Sequence, residues 1–215
     1  MSDNIYEIIH KLGVVPVVAI NSVENALPLA DALIEGGLPI AEITFRTKAA
    51  AEVISLLAKK RPELVIGAGT ILNVDDLKRA KDCGARFAVA PGLNPVVCEQ
   101  SIELGFPFSP GVMTPTDVEA AIAIGIKYLK FFPAEAVGGI NMLKSLYAPY
   151  KHLGVKFIPT GGIKVSTMKD YLAFDAVLAV GGTWIASSED IASCNWEKIK
   201  ANCIATKALL SPNKV

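Results

Sequence analysis

An α/β fold, a single-domain (β/α)8 TIM barrel of parallel strands, is the class this sequence predicts. Three observations predict it. Eight short β-rich runs start roughly every 20–28 residues, a period long enough for one strand and one helix. Helical patterns fill the gaps between them. The 215 residues are 52% hydrophobic, enough for one sizeable core, and no linker, low-complexity segment or composition break divides them. Residues 1–215 are therefore read as one domain. The rival is an open doubly wound sheet, but no G-x-G-x-x-G follows the first run.

The first strand is "VVPVVAI" (14–20). Lys11 ahead of it gives a superficial likeness to a secretion signal. Asp3 and Glu7 spoil the positive flank and Pro16 interrupts the apolar run. A helix follows in "SVENALPLADALIEGG", with Ser22 as candidate N-cap and Gly36-Gly37 as its end. The second and third strands are "IAEITF" (40–45) and "LVIGAG" (64–69). "NVDDLKRAKDCGA" places Asp75 and Asp76 in a first helical turn and Gly84 at the end. The next strands are "RFAVA" (86–90) and "PFSPG" (107–111). "TPTDVEAAIAIG" starts a helix with Pro115 near its first position and stops it at Gly125. "YLKFF" (128–132), "VKFIPT" (155–160) and "AVLAVGG" (176–182) complete the set of eight.

Composition narrows the function. Lys+Arg and Asp+Glu balance at 21 each, so the chain has no electrostatic footprint for nucleic acid or an anionic membrane. An anionic ligand must be held by a local site. The longest apolar stretches are too short to span a bilayer. Cys83, Cys98, Cys194 and Cys203 form no C-x-x-C pair. They read as reduced thiols of a cytoplasmic protein, acting as small buried hydrophobes. His10 and His152 are the only histidines and lie far apart, which leaves no His-rich metal site. No metal is expected, although a carboxylate-only site stays open on composition.

Polar residues that break the apolar pattern carry the chemistry. Barrel active sites are built at the C-terminal ends of the strands. Strand side chains alternate, so Tyr128, Lys130 and Phe132 share one face, while Leu129 and Phe131 share the other. Lys130 then points into the barrel, where low-dielectric surroundings favour the neutral, nucleophilic amine. A lysine that snorkels or pairs with a carboxylate is an equal competitor on this segment alone. In "AEITFRT", Glu42, Thr44 and Arg46 share a face. A carboxylate beside an amine shuttles protons, and a guanidinium at the rim grips a substrate carboxylate. A structural Glu–Lys or Glu–Arg ion pair explains the same charges. "PTGG" and "VGGT" end strands seven and eight in glycine pairs, Gly161-Gly162 and Gly181-Gly182, with Thr160 and Thr183 adding hydroxyls. The loops after those two strands are the usual phosphate site of barrels. Thr70 in "GAGT" is a further donor to a carboxylate, and Pro91 in "APGL" shapes the wall.

The segments "EITFRT", "GAGT", "APGL", "KFFPAE", "PTGG" and "GGTW", in this order and spacing, resemble the 2-keto-3-deoxy-6-phosphogluconate (KDPG) aldolases. That family includes the bifunctional 4-hydroxy-2-oxoglutarate (KHG) aldolases. The resemblance runs from about Val14 to the last helix. It implies a homotrimeric, metal-free Schiff-base aldolase that needs no cofactor. It implies Lys130 as the Schiff-base residue and Glu42 as the general acid/base. Arg46 and Thr70 would hold the substrate carboxylate, and Pro91 and Phe132 would line the pocket. Thr160, Gly161, Gly162, Gly181, Gly182 and Thr183 would form the phosphate side. The family often has Ser where this chain has Thr183; the hydroxyl survives. Thr44 and Arg46 speak against the related 6-phosphogalactonate aldolases. The alternatives are a phosphate-binding isomerase or epimerase, which leaves Lys130 unexplained, and a non-catalytic metabolite-binding barrel, which leaves Glu42 unexplained as well.

Overall fold

A computed structural model describes residues 4–210. The strands are all parallel and lie in two sheets. The first holds β1 (Val14–Val18), β2 (Ile40–Thr44), β3 (Val65–Gly69), β4 (Phe87–Val89), β5 (Phe108–Ser109) and β9 (Val180–Gly182), in the order β5-β4-β3-β2-β1-β9. The second holds β6 (Gly111–Val112), β7 (Tyr128–Phe131) and β8 (Lys156–Pro159).

The eight predicted runs thus become nine strands among the described residues. The fifth run is cut at Pro110, which has no N–H to give to a ladder. Its first half pairs with β4 and its second half with β7. The eighth run forms a strand only from Val180; Val177 makes an isolated bridge to Phe157. A second bridge joins Thr160 to Gly181.

Helices α2 (Ala26–Glu35), α3 (Ala50–Lys60), α4 (Val74–Asp82), α5 (Pro95–Glu103) and α6 (Pro115–Ile124) cross between successive strands. Their apolar stripes meet the outward face of the sheet. Leu29 and Leu33 of α2 and Val53, Ile54 and Leu57 of α3 are fully buried with Val18, Ile43 and Ile66. Each such aliphatic side chain contributes about 2 kcal/mol by leaving water. The inward-facing residues form a separate cluster: Val15, Ile40, Val65, Phe87, Val89, Ile158 and Leu178. Ile5 and Ile9 of α1 (Ile5–Leu12) join that cluster from below, so an N-terminal helix closes the end opposite the strand C-termini.

Several helix ends match their sequence signals. Asn73 accepts from the Asp76 N–H at 2.8 Å. Thr114 and Asp117 form a reciprocal capping box ahead of α6, and Gly125 ends it with φ +93°. Ser22 is a correction. It precedes a 3-10 turn, Val23–Asn25, and donates its hydroxyl to Glu24, so α2 begins only at Ala26 without a side-chain cap.

The cysteines divide. Cys98 and Cys203 are fully buried, and burial pushes their thiols up to about 11 and about 12. Cys194, by contrast, is exposed, contrary to the expectation of buried small hydrophobes, and Cys83 is half-buried. Iodoacetamide at mildly alkaline pH is therefore expected to alkylate Cys194 first and Cys83 more slowly. Cys98 and Cys203 should react only after unfolding, because the thiolate is the nucleophile. Peptide mass spectrometry reads the order, and early modification of Cys98 would contradict this packing.

Candidate active site

Alternation along β2 sends Ala41 and Ile43 outward and Glu42 and Thr44 inward. The same rule along β7 sends Leu129 and Phe131 to the helices and turns Lys130 and Phe132 into a cavity of about 490 Å³. This cavity opens at the C-terminal ends of the strands. Glu42, Arg46, Thr70, Pro91, Lys130 and Phe132 line it together with the Thr160–Gly162 and Gly181–Thr183 turns. Every residue singled out from the sequence borders this one space.

At its floor, Lys130 Nζ donates to Glu42 Oε1 at 3.1 Å and to Oε2 at 3.3 Å. Both side chains are nearly enclosed, at 7% and 5% exposure. With so little solvent to satisfy them, each group is the other's hydrogen-bonding partner. Room for the carboxylate comes from β3. A Cβ at Gly69 would collide with Glu42 Oε1, and one at Gly67 would collide with the Phe87 ring. The "GAG" of this strand is therefore a recess for Glu42 and Phe87. Lys130 Nζ stands over the Phe132 ring, 5.7 Å from its centroid.

Higher up, Thr44 Oγ1 donates to the Val18 carbonyl at 3.0 Å and accepts from Arg46 Nε at 3.3 Å. Thr44 thus anchors the arginine at the rim. Thr70 has φ +60°, a left-handed conformation that costs a β-branched residue about 1–2 kcal/mol. The next residue holds it there: Ile71 is fully buried and its N–H donates to the Val89 carbonyl at 3.2 Å.

The two loops beyond β7 and β8 are tied together. The Ala134 N–H donates to the Thr160 carbonyl at 2.8 Å, and the Glu135 N–H to the Gly161 carbonyl at 3.0 Å. Tyr171, on the short helix Met168–Leu172, donates to Glu135 Oε1 at 2.6 Å. The glycine turn next to Lys130 is consequently held from both flanks. Gly162 has φ +79°, and a Cβ there would sit 2.8 Å from that of Glu135. Val17, Ile163, Lys164 and Trp184 also line the cavity and were not singled out from the sequence. Val17 and Ile163 read as ordinary core. Lys164 and Trp184 had a readable signal, since each follows a glycine pair within two residues.

Comparison with known proteins supplies independent findings. The family model described as KDPG and KHG aldolase matches residues 5–202. A Haemophilus influenzae protein named 2-dehydro-3-deoxy-phosphogluconate aldolase is 45% identical over 198 residues, 92% of each chain. The KHG/KDPG aldolase of Escherichia coli is 38% identical over 186 residues, 86% of each chain. Among solved structures, KDPG aldolase from Legionella pneumophila, with pyruvate captured at low pH as a covalent carbinolamine, superposes with a TM-score of 0.89. It is 37% identical, over 94% of this chain and 97% of that one.

Proposed function

From the premise that this chain belongs to the KDPG and KHG aldolase family and is a class I aldolase, we propose that it cleaves KDPG to pyruvate and glyceraldehyde 3-phosphate, and KHG to pyruvate and glyoxylate. The observation that carries this reading is the enclosed Lys130–Glu42 pair, an amine and a proton acceptor at 3.1 Å on the floor of the cavity.

In this mechanism Glu42 relieves Lys130 of a proton, and the free amine adds to the C2 ketone of the substrate. Loss of water from the carbinolamine leaves an iminium. Glu42, directly or through water, then takes the proton of the C4 hydroxyl. The C3–C4 bond breaks, its electrons pass into the iminium, and the aldehyde departs. Protonation of the enamine at C3 and hydrolysis of the imine release pyruvate and restore the amine. The iminium is the electron sink, so no step calls for a cofactor. Arg46 and Thr70 hold the C1 carboxylate, with Pro91 and Phe132 as walls. Thr160, Gly161, Gly162, Gly181, Gly182 and Thr183 receive the phosphate through backbone N–H groups and hydroxyls.

The reading extends to the whole chain as one domain and to a closed eight-stave barrel. The division of the fifth stave at Pro110 and the Phe157–Val177 and Thr160–Gly181 bridges support closure. It also extends to a cytoplasmic homotrimer. No helix among the described residues is long and apolar enough to cross a membrane. Exposed Leu72, Val96 and Met113, on loops and a helix start beyond β3, β4 and β6, supply apolar surface for contact between copies.

Assay of both substrates tests the proposal. Wild-type protein should release pyruvate from each. Gly162→Val should lose at least about tenfold more activity toward KDPG than toward KHG, because the side chain forces the turn off its φ of +79° and away from an incoming phosphate. Equal losses on both substrates would mean that the turn serves only the fold, and no pyruvate from either would remove the aldolase reading.

A further inference from the structure

We propose that Lys164 is the cation that selects the phosphorylated substrate; this rests on the reading of the glycine turns as the phosphate site. Four charged side chains line the cavity: Glu42, Lys130, Arg46 and Lys164. Glu42 and Lys130 are occupied with each other. That leaves two cations for a substrate with two anionic ends. They stand in different sectors of the mouth. Arg46 follows β2 and Lys164 follows β8, and β1 and β9 come between them in the strand order. One cation serves each end. With a formal net charge of zero, the chain has no general field to attract a dianion, so the local charge decides.

Lys164 is built for this role by its backbone. Its N–H donates to Thr167 Oγ1 at 3.2 Å. Its carbonyl accepts from the N–H groups of Thr167 at 3.0 Å and Met168 at 2.9 Å. Met168 is fully buried, so the turn carrying Lys164 is fixed to the core. The side chain itself is exposed, and its ammonium has no carboxylate partner among the described residues. It lies two residues beyond Gly162, whose backbone faces the same space. An ammonium on a flexible stem closes over a phosphate oxygen as a point charge, supplementing the N–H groups of the turn.

Substrate chemistry makes the role selective. In KHG the distal carboxylate is bonded directly to the carbinol carbon. In KDPG the phosphate lies several bonds further out, toward the Gly161–Gly162 turn. Lys164 therefore strengthens KDPG binding more than KHG binding.

The test compares kcat/KM for the two substrates in wild type, Lys164→Ala, Lys164→Arg and Lys164→Glu. The KDPG:KHG ratio is expected to fall about tenfold in Lys164→Ala, the effect of losing one charge-assisted hydrogen bond. The fall should reside in KM. It should deepen in Lys164→Glu, and Lys164→Arg should stay within about threefold of wild type because the cation remains. A wild type that turns over KDPG while the ratio is unmoved in Lys164→Ala and Lys164→Glu overturns the assignment of Lys164 alone. A wild type with no turnover of KDPG overturns the phosphate reading itself, and Lys164 with it.

Discussion

Replacing Lys130 with Met is expected to abolish aldol cleavage, with a fall in turnover of roughly 10⁴-fold or more, the scale seen when a covalent nucleophile is removed. Methionine keeps the length and loses the amine. Sodium borohydride added with pyruvate should reduce an imine in the wild type and fix a three-carbon unit on the peptide carrying Lys130. The variant should take up none. Among the described residues Lys130 is the one lysine that is buried, at 6% exposure, and it stands beside a carboxylate. Reduction that labels a different lysine, or cleavage that survives in Lys130→Met, would end the Schiff-base mechanism.

Glu42→Gln is expected to lower turnover by roughly 10²–10⁴-fold, the span for loss of a general acid/base. The amide keeps the shape that fits the recess left by Gly69 but takes no proton. Exchange of the methyl protons of pyruvate with solvent, followed by NMR, should slow in parallel, because enamine formation also needs a base at C3. Stability has to be separated from chemistry here, since the same residue is the counter-ion of an enclosed lysine. Removing one member of a buried pair costs about 3–5 kcal/mol when the other stays charged. The melting temperature should therefore fall in Glu42→Gln and recover at least partly in the double variant Lys130→Met/Glu42→Gln, where no ammonium is left to orphan. Fast methyl exchange in a folded Glu42→Gln protein would assign Glu42 to the ion pair only and leave Lys130 needing another base.

Much of the cavity was legible because strand alternation is a local rule. Once "AEITFRT" and "YLKFF" are read as strands, Glu42 and Lys130 must lie on the faces opposite Ile43 and Leu129. The glycine pairs were legible as part of the cavity wall because they end the seventh and eighth apolar runs. Other features were not. Ser22 looks like an N-cap, but a 3-10 turn intervenes, and its hydroxyl finds Glu24 first. Pro110 was visible inside the fifth run, but not that the two halves it separates pair with different strands, β4 and β7. The strained Thr70 was read as a hydroxyl donor without its left-handed backbone, which is held by the burial of Ile71 and its hydrogen bond to Val89.

By itself, the sequence determined which residues of the second and sixth runs face inward and outward, where α4 and α6 begin and end, and which side chains are costly enough to bury that they need a purpose. These follow from alternation, capping and desolvation, which act over a few neighbouring residues. Only the tertiary structure decided that Glu42 and Lys130, 88 residues apart, meet at 3.1 Å rather than merely sharing an interior. It also decided that Gly67 and Gly69 make the recess for Glu42 and Phe87, and that Lys164 turns toward the same cavity as Arg46. Those outcomes depend on strand register and on how the two sheets curl together. Register is set by the packing of all the strands and helices at once, so no single segment of the chain contains it.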